Sequence, residues 1–258
     1  MSAEIHPTAI ISPKAELGTD VVVGPYCVVE DGVVLGDGCW LQNHVVIAGP
    51  SRIGPRNRFF SFGSIGQVTQ DLKYAGEPTY LEVGGGNTFR EFVTVHRGTA
   101  PGSVTRIGSG GNFLAYSHIA HDCQVGSHVI FSNNGTLAGH VEVGDYAVIS
   151  GFTAVHQFCR IGPYAITGGC SKIVQDVPPY MIADGNPASV RSYNKVGLAR
   201  HGFSEEATRH IKEAYRLIYR ANLNLQQAVE QIRTDLPESS EVDLLVKFVT
   251  SSQRGIVK

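Results

Sequence analysis

Leu17-Gly-Thr-Asp-Val-Val-Val23-Gly-Pro-Tyr-Cys-Val-Val29-Glu-Asp-Gly-Val-Val-Leu35-Gly36 carries an apolar residue at every sixth position. Extended outward, the same step meets Ile5, Ile11, Leu41, Ile47, Ile53, Phe59 and Ile65. The frame blurs through 67–82 and resumes in phase at Val83, Phe89 and Val95. After an interruption near Pro101 it runs from Ile107 to Ile161, with Thr167 a polar exception and Ile173 closing the series. Glycine follows the apolar residue at Gly18, Gly24, Gly36, Gly54 and six later sites. A period of six fits neither the 3.6 of a helix nor the 2 of a strand. It predicts short strands joined by tight turns, one apolar side chain per turn facing inward and glycine where the backbone needs freedom. Glycine and β-branched residues both oppose a helix.

This hexad pattern resembles that of the left-handed parallel β-helix family. The resemblance implies a mainly β fold, with three hexads to an eighteen-residue coil of triangular section and three chains side by side. Two excursions, 67–82 and 97–106, interrupt the coils, and such loops are where sites tend to be built. The solenoid is expected over 1–185 and a small α-helical domain over 186–258. In that tail Ser204-Glu205-Glu206 offers an N-cap and an acidic first turn. Ala207, Ile211, Tyr215 and Ile218 then share one face. Leu225, Ala228, Val229 and Ile232 predict a second helix, ended before Pro237, and Val242, Leu245, Val246 and Val249 a third.

Composition removes several function classes. Charged residues are only 17% of the chain, which suits a stack that buries coil on coil. The tail from 186 holds eleven Lys and Arg against eight Asp and Glu, the remainder ten against fifteen. No basic stripe exists to neutralise phosphates, which argues against nucleic acid, while the tail leaves room for an acidic protein partner. Cys27, Cys39, Cys123, Cys159 and Cys170 form no CxxC pair and read as small core fillers in a reducing compartment. The start lacks a signal-peptide pattern and no stretch reaches the ~20 apolar residues of a membrane span. A soluble, cytoplasmic protein is expected.

Six of the ten histidines lie between 96 and 156. With eighteen residues per coil, His121, Gly139 and Gln157 fall in one column and Asp122 and His140 in the next. His156 stands above Ala120, and His118 lies on the approach to the same edge. Subtracting one coil from 121 reaches 103, seven positions from 96. His96 is therefore expected on another side, able to join only from a neighbouring chain. The cluster suits general-base catalysis, because imidazole titrates near neutral pH, or zinc, which three histidines can hold. Asp122 could orient a histidine, but which one stays open, because neighbours on a strand point opposite ways.

Gln70-Asp-Leu-Lys-Tyr-Ala-Gly-Glu-Pro78, Val95-His-Arg-Gly-Thr99, His118-Ile-Ala-His-Asp-Cys123, Leu137-Ala-Gly-His140, Ala154-Val-His-Gln-Phe158, Gln175-Asp-Val-Pro-Pro-Tyr180 and Arg200-His-Gly-Phe203 together resemble the acyl-carrier-protein–UDP-N-acetylglucosamine O-acyltransferases. That family performs the first step of lipid A synthesis. The resemblance implies His121 as general base on the sugar 3-hydroxyl, Asp122 as its carboxylate and the Gly139 N–H as oxyanion donor. It implies Asp71, Lys73, His96, His118, His140, His156 and Gln157 as substrate contacts, with Asn194 and Arg200 on the uridine diphosphate. It further implies a homotrimer with sites between subunits and no cofactor beyond the phosphopantetheine of the acyl carrier protein, and no metal. Val196, Ala199 and His201 depart from the family pattern. The basic stretch from Arg191 to Arg220 suits carrier docking. Competing readings are a sister enzyme acylating a 3-amino sugar nucleotide and a metalloenzyme like the γ-class carbonic anhydrases.

Gly169 falls where the family sets acyl-chain length, and glycine leaves the groove open. Gly169→Met is expected to shift preference toward shorter acyl donors, measured with carrier proteins bearing graded chains. An unchanged preference would remove the assignment.

Overall fold

Residues 3–258 are described by a computed structural model. The chain climbs in coils of three short strands, and each strand pairs in parallel with the strand one coil above and below. Three sheets result. The first begins at Glu4–Ile5, the second at Ile10–Ile11 and the third at Glu16–Leu17. They hold 11, 9 and 8 strands among the described residues. The architecture is a left-handed parallel β-helix with a small C-terminal helical part.

The six-residue step has a direct physical cause. The side chain at each hexad position points into the prism, so Val23, Val29, Leu35, Leu41 and Ile47 are at most 1% exposed. Ile5, in the end strand of its sheet, is 44% exposed. Where the inward residue is aromatic the rings stack at the coil spacing: Phe59, Phe89, Phe113 and Phe131 follow one another at 5.0, 4.7 and 5.2 Å. The polar exception, Thr167, is fully buried. Its hydroxyl accepts from the Ser150 N–H at 3.0 Å and shares a 3.1 Å bond with Thr153 Oγ1, so a buried polar group keeps its partners.

After most hexad residues glycine serves a different purpose from the one expected; Gly66, with φ 79°, is the exception that uses its backbone freedom. A Cβ on Gly24 would lie 1.5 Å from the Gln42 carbonyl oxygen of the next coil, so close backbone approach selects glycine there. The left-handed φ falls two residues later, at corners occupied mostly by other residues, such as Tyr26 (59°), Tyr116 (63°), Asp122 (60°) and His140 (60°). Four cysteines are buried as expected, but Cys170 sits exposed at such a corner.

The two excursions lengthen single coils. Phe59 pairs with Phe89 and Phe89 with Phe113, offsets of 30 and 24 residues, before the regular 18 from Phe113 to Phe131. Both insertions are multiples of six, so the apolar phase in the sequence passes through them unchanged. Their backbones join where Arg97 N–H donates to the Gln67 carbonyl at 2.9 Å and Thr99 Oγ1 meets Thr69 Oγ1 at 2.8 Å.

Beyond Ile173 the chain forms an antiparallel hairpin, Met181–Gly185 with Ala188–Tyr193, on the end of the first sheet. Four helices follow: α1 (Lys195–Arg200), α2 (Glu205–Tyr219), α3 (Leu225–Asp235) and α4 (Ser240–Thr250). Ser204 caps α2 by accepting from the Ala207 N–H, with Glu205 and Glu206 in its first turn. The hairpin and α1 were not anticipated, being short and without apolar period. Among the described residues no helix is long and apolar enough to cross a membrane.

The ring stack makes a sharp expectation. Phe89→Ala removes the ring between Phe59 and Phe113 and is expected to lower unfolding free energy by about 3–5 kcal/mol, measured by denaturant titration. A loss below about 1 kcal/mol would show that the stack does not carry the core.

Candidate active site

The second sheet turns at Ala120-His121-Asp122 into the third, and that corner builds the site. On a strand, side chains 121 and 122 would point to opposite faces. Here Asp122 has φ 60°, and its N–H donates to Thr105 Oγ1 at 2.8 Å. The turned backbone brings its carboxylate beside the preceding imidazole, with His121 Nδ1 and Asp122 Oδ2 2.8 Å apart. The Thr99 N–H, from the second excursion, donates to the same oxygen at 3.1 Å. Burial alone would raise the Asp122 pKa. Hydrogen bonding from His121 and Ser103 and the nearby His140 charge outweigh it, holding the carboxyl below its usual range. An ionised carboxylate only accepts, so Nδ1 carries the proton and the lone pair lies on Nε2.

The column count holds around this corner. Thr136 pairs with Ala154 and His118 with Thr136, which aligns His121, Gly139 and Gln157. A Cβ on Gly139 would lie 2.4 Å from His121 Cε1 and 2.5 Å from Nε2, so the imidazole rests over this glycine. His140, on the next corner, stands perpendicular to His121 at 5.1 Å, with Nε2 3.8 Å from Asp122 Oδ2. It stacks on Phe158 at 4.6 Å. His121, Asp122 and His140 are the one group among the described residues that could hold a cation, with ligand atoms all within 4.8 Å.

His96 corrects the sequence expectation. It lies on the same face of the same chain, with its ring 4.9 Å from that of His118. The coil that precedes His118 is separated from it by 24 residues, as Thr94 pairs with His118. Subtracting 18 therefore lands inside the excursion instead of on the neighbouring strand. His118 Nδ1 is bonded to Thr94 Oγ1 at 2.7 Å. Burial, followed by repulsion from His118 and His121, pushes the His96 pKa down to about 4; burial and His121 lower that of His118. Both rings are held neutral at pH 7.

The remaining candidates fall in three places. Asp71 and Lys73 sit in the first excursion, where Asp71 Oδ1 accepts the Lys73 N–H at 2.9 Å in a local turn. His156 and Gln157 are exposed one coil above His140's neighbours, and His156 Nδ1 lies 3.1 Å from the Gln157 carbonyl. Gly169 stands at the opposite edge of the second sheet, where a Cβ would meet only the Gly151 carbonyl, at 3.7 Å. Asn194 and Arg200 lie beside a third edge. Asn194 is 4% exposed and already engaged: its amide donates to the Tyr164 carbonyl and its oxygen caps α1 at Gly197. Arg200 ends that helix, next to His201, whose ring packs edge-on against Tyr146 and Tyr164. Within one chain these two do not join the histidines.

Sequence reasoning missed Thr94, Thr99 and Thr105, which fix His118 and Asp122, because a threonine's hydrogen-bonding role has no periodic signal. It also missed Arg254, whose Nη2 lies 3.4 Å from His156 Nδ1. Three buried side-chain groups without a protein partner, Thr79 Oγ1, His96 Nδ1 and Arg97 Nε, lie where the two excursions meet the coils.

Solenoid, excursions, imidazole edge and helical tail together define a hexapeptide-repeat acyltransferase. Residues 176–257 match the family model described as UDP N-acetylglucosamine O-acyltransferase, domain 2. Over 98% of its length the chain is 51% identical to the acyl-[acyl-carrier-protein]–UDP-N-acetylglucosamine O-acyltransferase of Halorhodospira halophila, covering 99% of that protein. The enzyme of the same name from Thermodesulfovibrio yellowstonii is 48% identical, with 99% of each chain covered. Among solved structures, LpxA from Bacteroides fragilis superposes with a TM-score of 0.97 at 37% identity, covering 98% of this chain and all of that one. LpxA from Acinetobacter baumannii gives 0.95 at 46%, with 98% and 99% covered. This chain belongs to the acyl-[acyl-carrier-protein]–UDP-N-acetylglucosamine O-acyltransferase family.

The buried neutral His96 gives stability a pH dependence. Its folded pKa, about 4, lies below the 6.5 of an unfolded histidine, so the unfolded chain binds more protons between those values. Its contribution is complete above pH 6.5, falls as pH drops from 6.5 toward 4, and by then has lost at most about 3 kcal/mol. His96→Asn is expected to flatten unfolding free energy against pH over that window; an unchanged slope would contradict the assignment.

Proposed function

We propose that this chain transfers a 3-hydroxyacyl group from acyl carrier protein to the 3-hydroxyl of UDP-N-acetylglucosamine, the opening step of lipid A synthesis. One observation carries the mechanism: His121 bonded through Nδ1 to Asp122 while its ring rests on Gly139. A sugar hydroxyl is a weak nucleophile, and His121 Nε2 takes its proton as the new C–O bond forms. Asp122 holds the ring's orientation and stabilises the imidazolium. The Gly139 N–H supports the oxyanion of the tetrahedral intermediate. Collapse breaks the C–S bond, and the imidazolium returns its proton to the pantetheine thiolate, leaving the 3-O-acyl sugar nucleotide and the free carrier thiol.

Asp71, Lys73, His96, His118, His140, His156 and Gln157 surround the path of the sugar nucleotide in this reading. The acyl chain then lies across the second sheet toward Gly169. Asn194 and Arg200, on another edge, reach the site from a neighbouring subunit of a homotrimer. An exposed ladder of Tyr26, Phe62, Phe92, Tyr116 and Phe152 supports packing between subunits. Residues 186–258 serve as the carrier-docking domain, through the basic surface between Arg191 and Arg220. Five free cysteines accord with the reducing cytoplasm.

His121→Ala is expected to lower kcat by about 10²–10⁴-fold with the fold intact. The wild-type protein, offered UDP-N-acetylglucosamine and its 3-amino analogue with carriers of graded acyl chains, is expected to give the ester. An amide as the main product would transfer the chain to the amine-acylating relatives. Dialysis against a chelator is expected to leave turnover unchanged; loss of activity restored by zinc would assign His121, Asp122 and His140 to a metal instead.

A further inference from the structure

The last eight residues return to the solenoid beside the imidazole edge. Ser252 Oγ donates to Asp176 Oδ2 at 2.7 Å, the Asp176 N–H donates to the Gly255 carbonyl at 3.0 Å, and the Val257 N–H donates to the Asp176 carbonyl at 2.9 Å. Gln175 Nε2 donates to the Arg254 carbonyl at 3.3 Å. The backbone at 254 is thus fixed by bonds that do not use the Arg254 side chain.

That side chain reaches into a cleft of about 600 Å³ whose walls include His140, Glu142, Phe158, Arg160, Asp176 and Arg254. Its Nη2 lies 3.4 Å from both His156 Nδ1 and the Val174 carbonyl, long contacts for a charged donor. The nearby carboxylates are already engaged. Both Asp176 oxygens accept, from the Arg160 N–H and Ser252 Oγ. Glu142 faces Arg160 at 3.5 Å. Arg254 makes no ion pair among the described residues and is exposed. The inner wall of the cleft is His140, which touches Asp122 at the proposed reacting centre.

We infer that Arg254 and the cleft before it form a subsite for a phosphate ester of one of the two substrates. The inference rests on the acyl-transfer reading, in which both substrates carry that chemistry: the sugar nucleotide as a diphosphate, the pantetheine arm as a phosphodiester. A guanidinium presents a planar fork matched to phosphate oxygens. Its place on the tail, against His156 two coils beyond Ala120 of the reacting corner, makes the helical domain's docking on Asp176 part of substrate binding.

The experiment measures kcat and KM for each substrate in the wild-type protein, Arg254→Ala and Arg254→Lys, with thermal midpoints alongside. Arg254→Ala is expected to raise KM for one substrate about tenfold, equivalent to 1.4 kcal/mol, with kcat within about twofold and the midpoint unchanged. Arg254→Lys is expected to recover part of the loss. A donor effect is expected to vanish with an acyl-pantetheine thioester lacking the 4′-phosphate; an effect on UDP-N-acetylglucosamine alone identifies the diphosphate as occupant. Both KM values unchanged in Arg254→Ala, or a rise that tracks a lowered midpoint and that Arg254→Lys fails to recover, would overturn the subsite. A wild-type protein that does not acylate UDP-N-acetylglucosamine would instead remove the functional reading.

Discussion

Backbone hydrogen bonding from one coil to the next, at a fixed height of ~4.8 Å, is the constraint on which the rest of this structure depends. Each strand is only two to five residues long over most of the solenoid, too short to be stable alone. Each is held by neighbours above and below in a continuous ladder, for example Trp40 N–H to the Asn57 carbonyl and Val22 N–H to the Cys39 carbonyl. Because the ladder fixes register, it also fixes which side chains share an edge. An inserted segment survives only as a loop that leaves the edge and returns in phase, which is what the two excursions do.

The candidate active site is made from ordinary features of that ladder. A left-handed φ occurs at corner after corner. At Asp122 it turns a carboxylate onto the preceding imidazole instead of away from it. Close approach of coils selects glycine at many positions. At Gly139 the same device gives a histidine ring room to lie over the next coil. The second excursion adds the Thr99 N–H to the carboxylate, so the loop over the site also determines which nitrogen of His121 carries the proton.

Much of this was legible in the sequence because it is periodic. The hexad named the inward residues, and the eighteen-residue step aligned His121 with Gly139 and Asp122 with His140. What lacked a period was not legible. The excursions hide their lengths, twelve and six extra residues, behind an unbroken apolar phase, and His96 was misplaced for that reason. The partner of Asp122 depends on a backbone dihedral that a strand rule cannot supply. Thr167 broke the apolar pattern without breaking the core, since Thr153 and Ser150 satisfy its hydroxyl. The intrachain bonds of Asn194, its oxygen capping α1 and its amide N–H meeting the Tyr164 carbonyl, have no periodic signal either.

The central claim is that an ionised Asp122 fixes His121 with its proton on Nδ1 and its lone pair on Nε2. Nitrogen-15 NMR of the histidine side chains reports this directly, with His121 assigned by its loss in His121→Ala. Above pH 7.5 the account predicts a protonated Nδ1 and an unprotonated Nε2 for that ring, and loss of this preference in Asp122→Leu. A ring protonated on Nε2, or a tautomer unchanged by the removal of the carboxylate, would contradict it.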